Sequence, residues 1–110
     1  MKKIYRIRKN QEFSAIIQQH HSLANSSFVL YAQRRSTDNA RIGLSVSHRL
    51  GNAVVRNKIK RQIRMMVLEL LPFAEYPYDA VVIVRKPYLR KTYEENKKDL
   101  LKLFRTVKIN

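Results

Sequence analysis

A chain of 110 residues with 45% hydrophobic content, two glycines and three prolines is long enough for one core, and it has neither the composition of a disordered chain nor that of a low-complexity one. Lysine and arginine number 23 against eight acids, and the resulting +15 favours a polyanionic partner while it strains the folded state by self-repulsion. With no cysteine, disulfides and thiolate metal sites are excluded. No apolar run approaches the roughly 20 residues of a membrane-spanning helix. The opening MKKIYRIRKNQEF is basic without the apolar stretch of a signal peptide, so a cytoplasmic location is the expectation.

After the basic lead of Lys2, Lys3, Arg6, Arg8 and Lys9, the segment NQEFSAIIQQHH (10–21) predicts a short helix. Asn10 is its candidate N-cap, Glu12 lies in its first turn, and Phe13, Ile16 and Ile17 form its apolar edge. SFVLYAQR (27–34) predicts a strand with Phe28, Leu30 and Ala32 on one face and Val29, Tyr31 and Gln33 on the other. STDNA offers turn residues, and RIGLSVSH (41–48) returns as a strand. Ile42, Leu44 and Val46 share one of its faces, leaving Gly43, Ser45 and Ser47 opposite. That small-residue face suits either solvent or the close approach of a backbone or flat ligand, and the alternation alone favours solvent.

GNAV leads into the main helix with Asn52 as cap. At about 100° per residue, Val55, Ile59, Ile63, Met66 and Leu70 make one stripe for the core. Asn57, Lys60, Arg61 and Arg64 lie opposite, and Arg56 and Lys58 flank the stripe. Pro72 and FAEYPYD end the helix, and AVVIVRK (80–86) reads as a buried strand whose strand-helix-strand surroundings allow a parallel pairing. Pro87 closes it. TYEE (92–95) fits a capping box and opens a last helix, with Tyr93, Leu100, Phe104 and Val107 inward and Lys97, Lys98, Lys102, Arg105 and Lys108 adding charge. No repeat or linker interrupts the chain. The reading is one small mixed α/β domain spanning residues 1–110.

Within the main helix, RNKIKRQIR (56–64) places five cations in nine positions, and no acid occurs between Gly51 and Arg64. Such cations repel by a few tenths of a kcal/mol per pair, a cost that phosphate binding removes. Arg56, Arg61 and Arg64 suit forked contacts with phosphate, Lys58 and Lys60 act as point charges, and the Asn57 amide suits a base edge or ribose hydroxyl. A solvated cationic face is the bland reading of the same run. The chain-wide +15 tips the balance toward nucleic acid, and on charge alone DNA remains open beside RNA.

The ordered stretch GLSVSHRLGNAVVRNKIKRQIR (43–64) closely resembles the protein subunit of bacterial ribonuclease P, and RKNQEF, FVLY, RKP and TYEENKKDL extend the resemblance over nearly the whole chain. Lys58 stands where the family's Arg-Asn-Arg motif ends in arginine, Met65 where an acid commonly follows Arg64, and Ile17 where an aromatic is frequent. The resemblance implies an αβββαβα two-layer sandwich, with a four-stranded mixed sheet and a left-handed β-α-β crossover around the basic helix. The fourth strand would use SLA (22–24). It further implies a partner catalytic RNA that cleaves precursor transfer RNA with Mg²⁺ and releases the 5′ leader, the protein supplying no catalytic residue and needing no protein partner. Arg56, Asn57, Lys58, Lys60, Arg61 and Arg64 would then contact the catalytic RNA, while Phe13, Ile17 and Tyr31 would face the leader in a separate cleft.

Two rival accounts come from other classes. An independent protein nuclease has to be built from His20, His21, His48 and eight acids, which show no two-metal or histidine-nuclease spacing. A non-catalytic RNA-folding or ribosome-associated protein explains size and charge equally well, but not the chain-wide family pattern.

Overall fold

The computed structural model describes residues 1–109; Asn110, the last residue of the expected domain, lies outside them. In chain order the elements are α1 (Asn10–Gln18), β1 (Ser22–Ala24), β2 (Phe28–Arg34), β3 (Ile42–Ser45), α2 (Ala53–Leu70), β4 (Tyr78–Val84) and α3 (Tyr93–Thr106). Short 3-10 turns occupy Lys3–Tyr5, His48–Leu50 and Lys86–Arg90. The αβββαβα order and the short SLA strand are both present.

Four strands form one mixed sheet in the order β1-β2-β4-β3. β2 pairs antiparallel with β1 and with β4, and β3 runs parallel to β4 with Ile42 opposite Ala80. The branched run of β4 is thus central. Its Ala80, Val82 and Val84 join Phe28, Leu30 and Ala32 of β2 and the inward sides of α2 and α3 in the main core. Val81 packs the other way, with Ile7 and Ile16, where α1 covers the opposite face. Burying a side chain such as Phe28 completely contributes about 2–3 kcal/mol, so this two-sided enclosure supplies much of the driving force.

Local signals explain the helix ends. The Asn52 side chain accepts from Val55 N–H at 3.1 Å and opens α2. Ile59, Ile63 and Met66 are buried as the stripe requires, Val55 and Leu70 are partly so, and Val67 joins them from its edge. For α3 the capping box is complete: Thr92 Oγ1 accepts from Glu95 N–H at 3.2 Å, and Glu95 Oε1 from Thr92 N–H at 3.0 Å. Three expectations are corrected. The N-cap of α1 is Lys9 without a side-chain cap bond, so Asn10 is already inside the first turn. That helix ends at Gln18, because His20 takes φ 59° to turn the chain into β1. β3 stops at Ser45, since Ser47 instead caps the next turn by accepting from Arg49 N–H at 3.2 Å.

One charge lies inside the sheet. Asp79 of β4 is fully buried and accepts from the Arg41 backbone N–H at 3.0 Å and from Arg41 Nη2 at 2.9 Å. Arg41 Nη1 also lies 2.6 Å from Glu12 Oε2 on α1. The hydrogen bond to Asp79 raises the Arg41 pKa against the opposing effect of burial, so the guanidinium remains charged. Breaking a buried pair by deleting one partner strands the other charge. Arg41→Ala is expected to destabilise the fold by about 3 kcal/mol in urea denaturation. An exposed arginine such as Arg61, replaced in parallel, should change stability by less than about 0.5 kcal/mol.

Tyr76 and Tyr88 are held above the ordinary phenol range, each chiefly by burial and secondarily by a neighbouring tyrosine, Tyr78 and Tyr93 respectively. Tyr76 Oη donates to Phe104 C=O and Tyr88 Oη to Gln62 Oε1, both at 2.8 Å. A raised folded pKa means the stabilisation is complete below the unfolded phenol value of about 10 and is lost as pH rises from there through the folded value. Stability should therefore fall above about pH 10, with the phenolate absorbance of these two residues appearing only together with loss of helical circular dichroism.

Candidate nucleic-acid interface

Helix α2 carries Asn57, Lys58 and Arg61 in solvent and Arg56, Lys60 and Arg64 half-buried. Among the described residues, none of the five cations has a carboxylate within ion-pair distance. Glu12 and Asp79 are taken by Arg41, Asp99 by Lys91 and Glu69 by Lys97. Arg56 Nε is buried without a hydrogen-bond partner. The Arg64 pKa is lowered, first by burial and then by the like charge of Arg6. An electrostatic load of this kind is relieved by an anion from outside the chain. Beside it Met65 and Leu68 are about half exposed, adding an apolar margin that suits the face of a base.

The second group sits across the sheet. Phe13, Ile17 and Tyr31 are all half-buried and pack around Ile7, Ile16 and Val81, so helix α1 and strand β2 bring together the three residues expected there. Phe13 rests on Gly43. A Cβ at that glycine would lie 2.6 Å from Phe13 Cε2 and 2.9 Å from Cδ2. The small-residue face of β3 is therefore filled at Gly43 by the chain's own ring rather than by solvent. Tyr31 remains half-exposed, with an aromatic surface available at the rim.

The two groups approach each other at β3. β3 is an edge strand, and around it runs a cavity of about 110 Å³ lined by Arg6, Phe13, Gly43, Leu44, Lys60 and Arg64. Lys60 and Arg64 thus share a cavity with Phe13, whereas Ile17 and Tyr31 do not line it. The reason is topological: the N-terminal segment adds itself to the open edge of β3, with Ile7 N–H donating to Ile42 C=O at 3.1 Å, and this carries Arg6 beside α2. Arg6 lines this cavity, whereas in sequence it reads only as part of a basic lead.

His20, His21 and His48 are exposed, and among the described residues no group of three His, Cys, Asp or Glu side chains is placed to hold a metal ion. No helix described is long and apolar enough to cross a membrane.

A mixed α+β domain whose basic helix finds no carboxylate partner among the described residues belongs to the class of polyanion-binding proteins. A family profile for ribonuclease P matches residues 1–108. The ribonuclease P protein component of Bacillus cereus (strain G9842) is 49% identical over 106 residues, covering 96% of this chain and 92% of that protein. Among solved structures, the Staphylococcus aureus RNase P protein superposes with a TM-score of 0.81 at 38% identity, covering 92% of this chain and 93% of the other. The Thermotoga maritima RNase P protein gives 0.82 at 29% identity, covering 94% and 98%. The chain belongs to the ribonuclease P protein component family, the protein subunits of the ribonucleoprotein that processes the 5′ end of transfer RNA.

The Phe13–Gly43 contact gives a sharp test of how the cleft is built. Gly43→Ala is expected to destabilise by about 1–3 kcal/mol because the ring has to move. In the Phe13→Leu background the same change should cost much less, and a double-mutant cycle measures the difference. Strictly additive losses would show that the ring and the glycine do not meet.

Proposed function

We propose that the chain bridges two RNAs within its ribonucleoprotein. Arg56, Asn57, Lys58 and Arg61 hold the catalytic RNA, Phe13, Ile17 and Tyr31 receive the 5′ leader of precursor transfer RNA, and Lys60 and Arg64 stand between them. The observation that carries this reading is the β3 edge, where two cations of α2 and the Phe13 ring line one cavity. A leader held along the cleft brings its phosphates to the same cations, so affinity for one RNA reinforces placement of the other.

Chemistry in this reading belongs to the RNA. The reaction is a Mg²⁺-dependent hydrolysis that leaves a 5′-phosphate on the mature transfer RNA, with the ions and the attacking water held by the RNA. Residues of this chain bind and orient. Their cations lower the repulsion between two polyanions that must approach closely, and they concentrate the metal-bearing RNA and its substrate in one place. The assembly would work in the cytoplasm and needs no further protein.

Reconstitution tests this directly. RNA alone, protein alone and the pair are compared on precursor transfer RNA and on a leaderless control. The protein alone is expected to be inactive, and the pair should bind leader-bearing substrate more tightly than the control. Cleavage by RNase-treated protein alone would overturn the assignment in favour of a protein nuclease; indifference of the RNA to the protein would favour a different RNA-binding role.

Point variants divide the surface. Arg61→Ala should weaken assembly with the catalytic RNA roughly tenfold and reduce the salt slope by about one contact. Tyr31→Ala should weaken leader binding by about 1–3 kcal/mol while assembly with the catalytic RNA is retained, as for loss of one stacked base. Far-ultraviolet circular dichroism of both variants checks that the fold survives.

A further inference from the structure

Helix α3 carries a second line of cations that the bridging reading leaves unused. Lys98, Lys102 and Arg105 are exposed and stand at i, i+4 and i+7, on one face of the helix over roughly 10.5 Å. Among the described residues no carboxylate lies within ion-pair distance of any of the three. The helix's acids are engaged elsewhere or lie at its start: Asp99 pairs with Lys91, Glu95 closes the capping box, and Glu94 sits in the first turn. Attraction to the helix dipole accounts for Arg105 in the last turn but not for Lys98 in the middle.

The ridge borders a groove. Between α3 and the segment after α2 lies a cavity of about 510 Å³, lined by Leu70, Pro72, Tyr76, Tyr78, Leu101 and Arg105. Its two tyrosine hydroxyls are each engaged within the fold: Tyr76 Oη donates to Phe104 C=O and Tyr78 Oη accepts from Ile109 N–H. An apolar slot with a cation at its rim suits a flat ring that carries an anion, and a nucleotide has both parts. Arg105 also lines a shallower depression with Lys98 and Lys102, so slot and ridge are continuous.

We propose that α3 forms a second RNA-binding surface, distinct from α2, in which Lys98, Lys102 and Arg105 track the phosphates of an unpaired RNA segment and the groove beside Leu101 receives one of its bases. The proposal rests on the RNA-binding reading of the chain. Charge complementarity selects this occupant: an acidic protein segment would satisfy the ridge but not the slot, and a second copy of a chain with charge +15 would be repelled.

The test uses the full chain and a labelled ten-nucleotide oligoadenylate. Its binding is measured by anisotropy against salt for the wild type, for Lys98→Ala/Lys102→Ala/Arg105→Ala, for Arg56→Ala/Arg61→Ala, and for the five changes combined. In the α2-variant background, where the α3 surface is left to bind, the α3 changes should weaken binding about tenfold at 0.1 M salt and flatten the slope of log affinity against log salt by about two, as three single-strand contacts require. Each set of changes alone should remove only its own share of the binding, and the five together should remove both. In the α2 variant, oligonucleotide should still shift the Leu101 methyl and Tyr78 ring resonances, and the α3 changes should abolish that shift. An unaltered slope with unmoved Leu101 and Tyr78 signals would overturn the proposal, as would sedimentation showing that the groove is covered by self-association. Catalytic RNA serves as control: a wild type that binds it while the α3 changes have no effect on the oligonucleotide discards the α3 surface alone, whereas indifference to both RNAs discards the wider reading too.

Discussion

β4 has hydrogen-bonded neighbours on both edges and helices over both faces, so any polar side chain it carries has to be satisfied by the protein itself. It carries one carboxylate there, Asp79, and Arg41 answers it while also reaching Glu12. That single guanidinium joins the lead into β3, the centre of the sheet and helix α1. Its two neighbours in sequence terms set the cleft: Phe13 follows Glu12 directly, and Gly43 lies two residues beyond Arg41. With the ion pairs in place, the ring and the glycine are brought into contact.

The parallel pairing of β3 with β4 has a further effect. It leaves β3 at the edge and requires α2 to cross over from its end to the start of β4, so the basic helix begins close to that edge. The N-terminal segment adds a bridge on the outer side, at Arg6 and Ile42. Arg6, Lys60 and Arg64 then converge from elements far apart in the chain. Stacked Tyr5 and Phe73, with ring centroids 4.0 Å apart, hold the same N-terminal segment against the connection after α2.

Charge is partitioned as sharply as hydrophobicity. Four of the eight acids are spent on Arg41, Lys91 and Lys97, away from the basic residues 56–64 of α2, where they brace one element against another. The buried Ser27–Asn96–Tyr88 chain does the same without charge, with bonds of 2.9 and 3.1 Å linking the residue just before β2, α3 and the turn between β4 and α3. What remains is a positive field with no internal answer over α2. At Arg64 burial first, and then the like charge of Arg6, disfavour the charged guanidinium, and a polyanion is the partner that offsets the unpaired charge of the helix. The protein is thus braced by the few carboxylates it has and left in need of an external anion where they are missing.

The amphipathic stripe of α2, the alternation in β2, the capping box of α3 and the unbroken branched run of β4 were all legible in the residues, because period and capping are local properties. So was the basic helix, and the family likeness placed the short β1 that no periodicity in three residues can reveal. The burial of Asp79 was not legible: a lone acid at the start of an apolar run reads as a turn residue until its partner 38 positions earlier is found across the sheet. Nor was the approach of α2 to the Phe13 cavity, since Arg6, Gly43 and Lys60 carry no mutual spacing signal. Contacts between distant segments depend on strand order and on which edge is left open, and those are settled only when the whole chain packs.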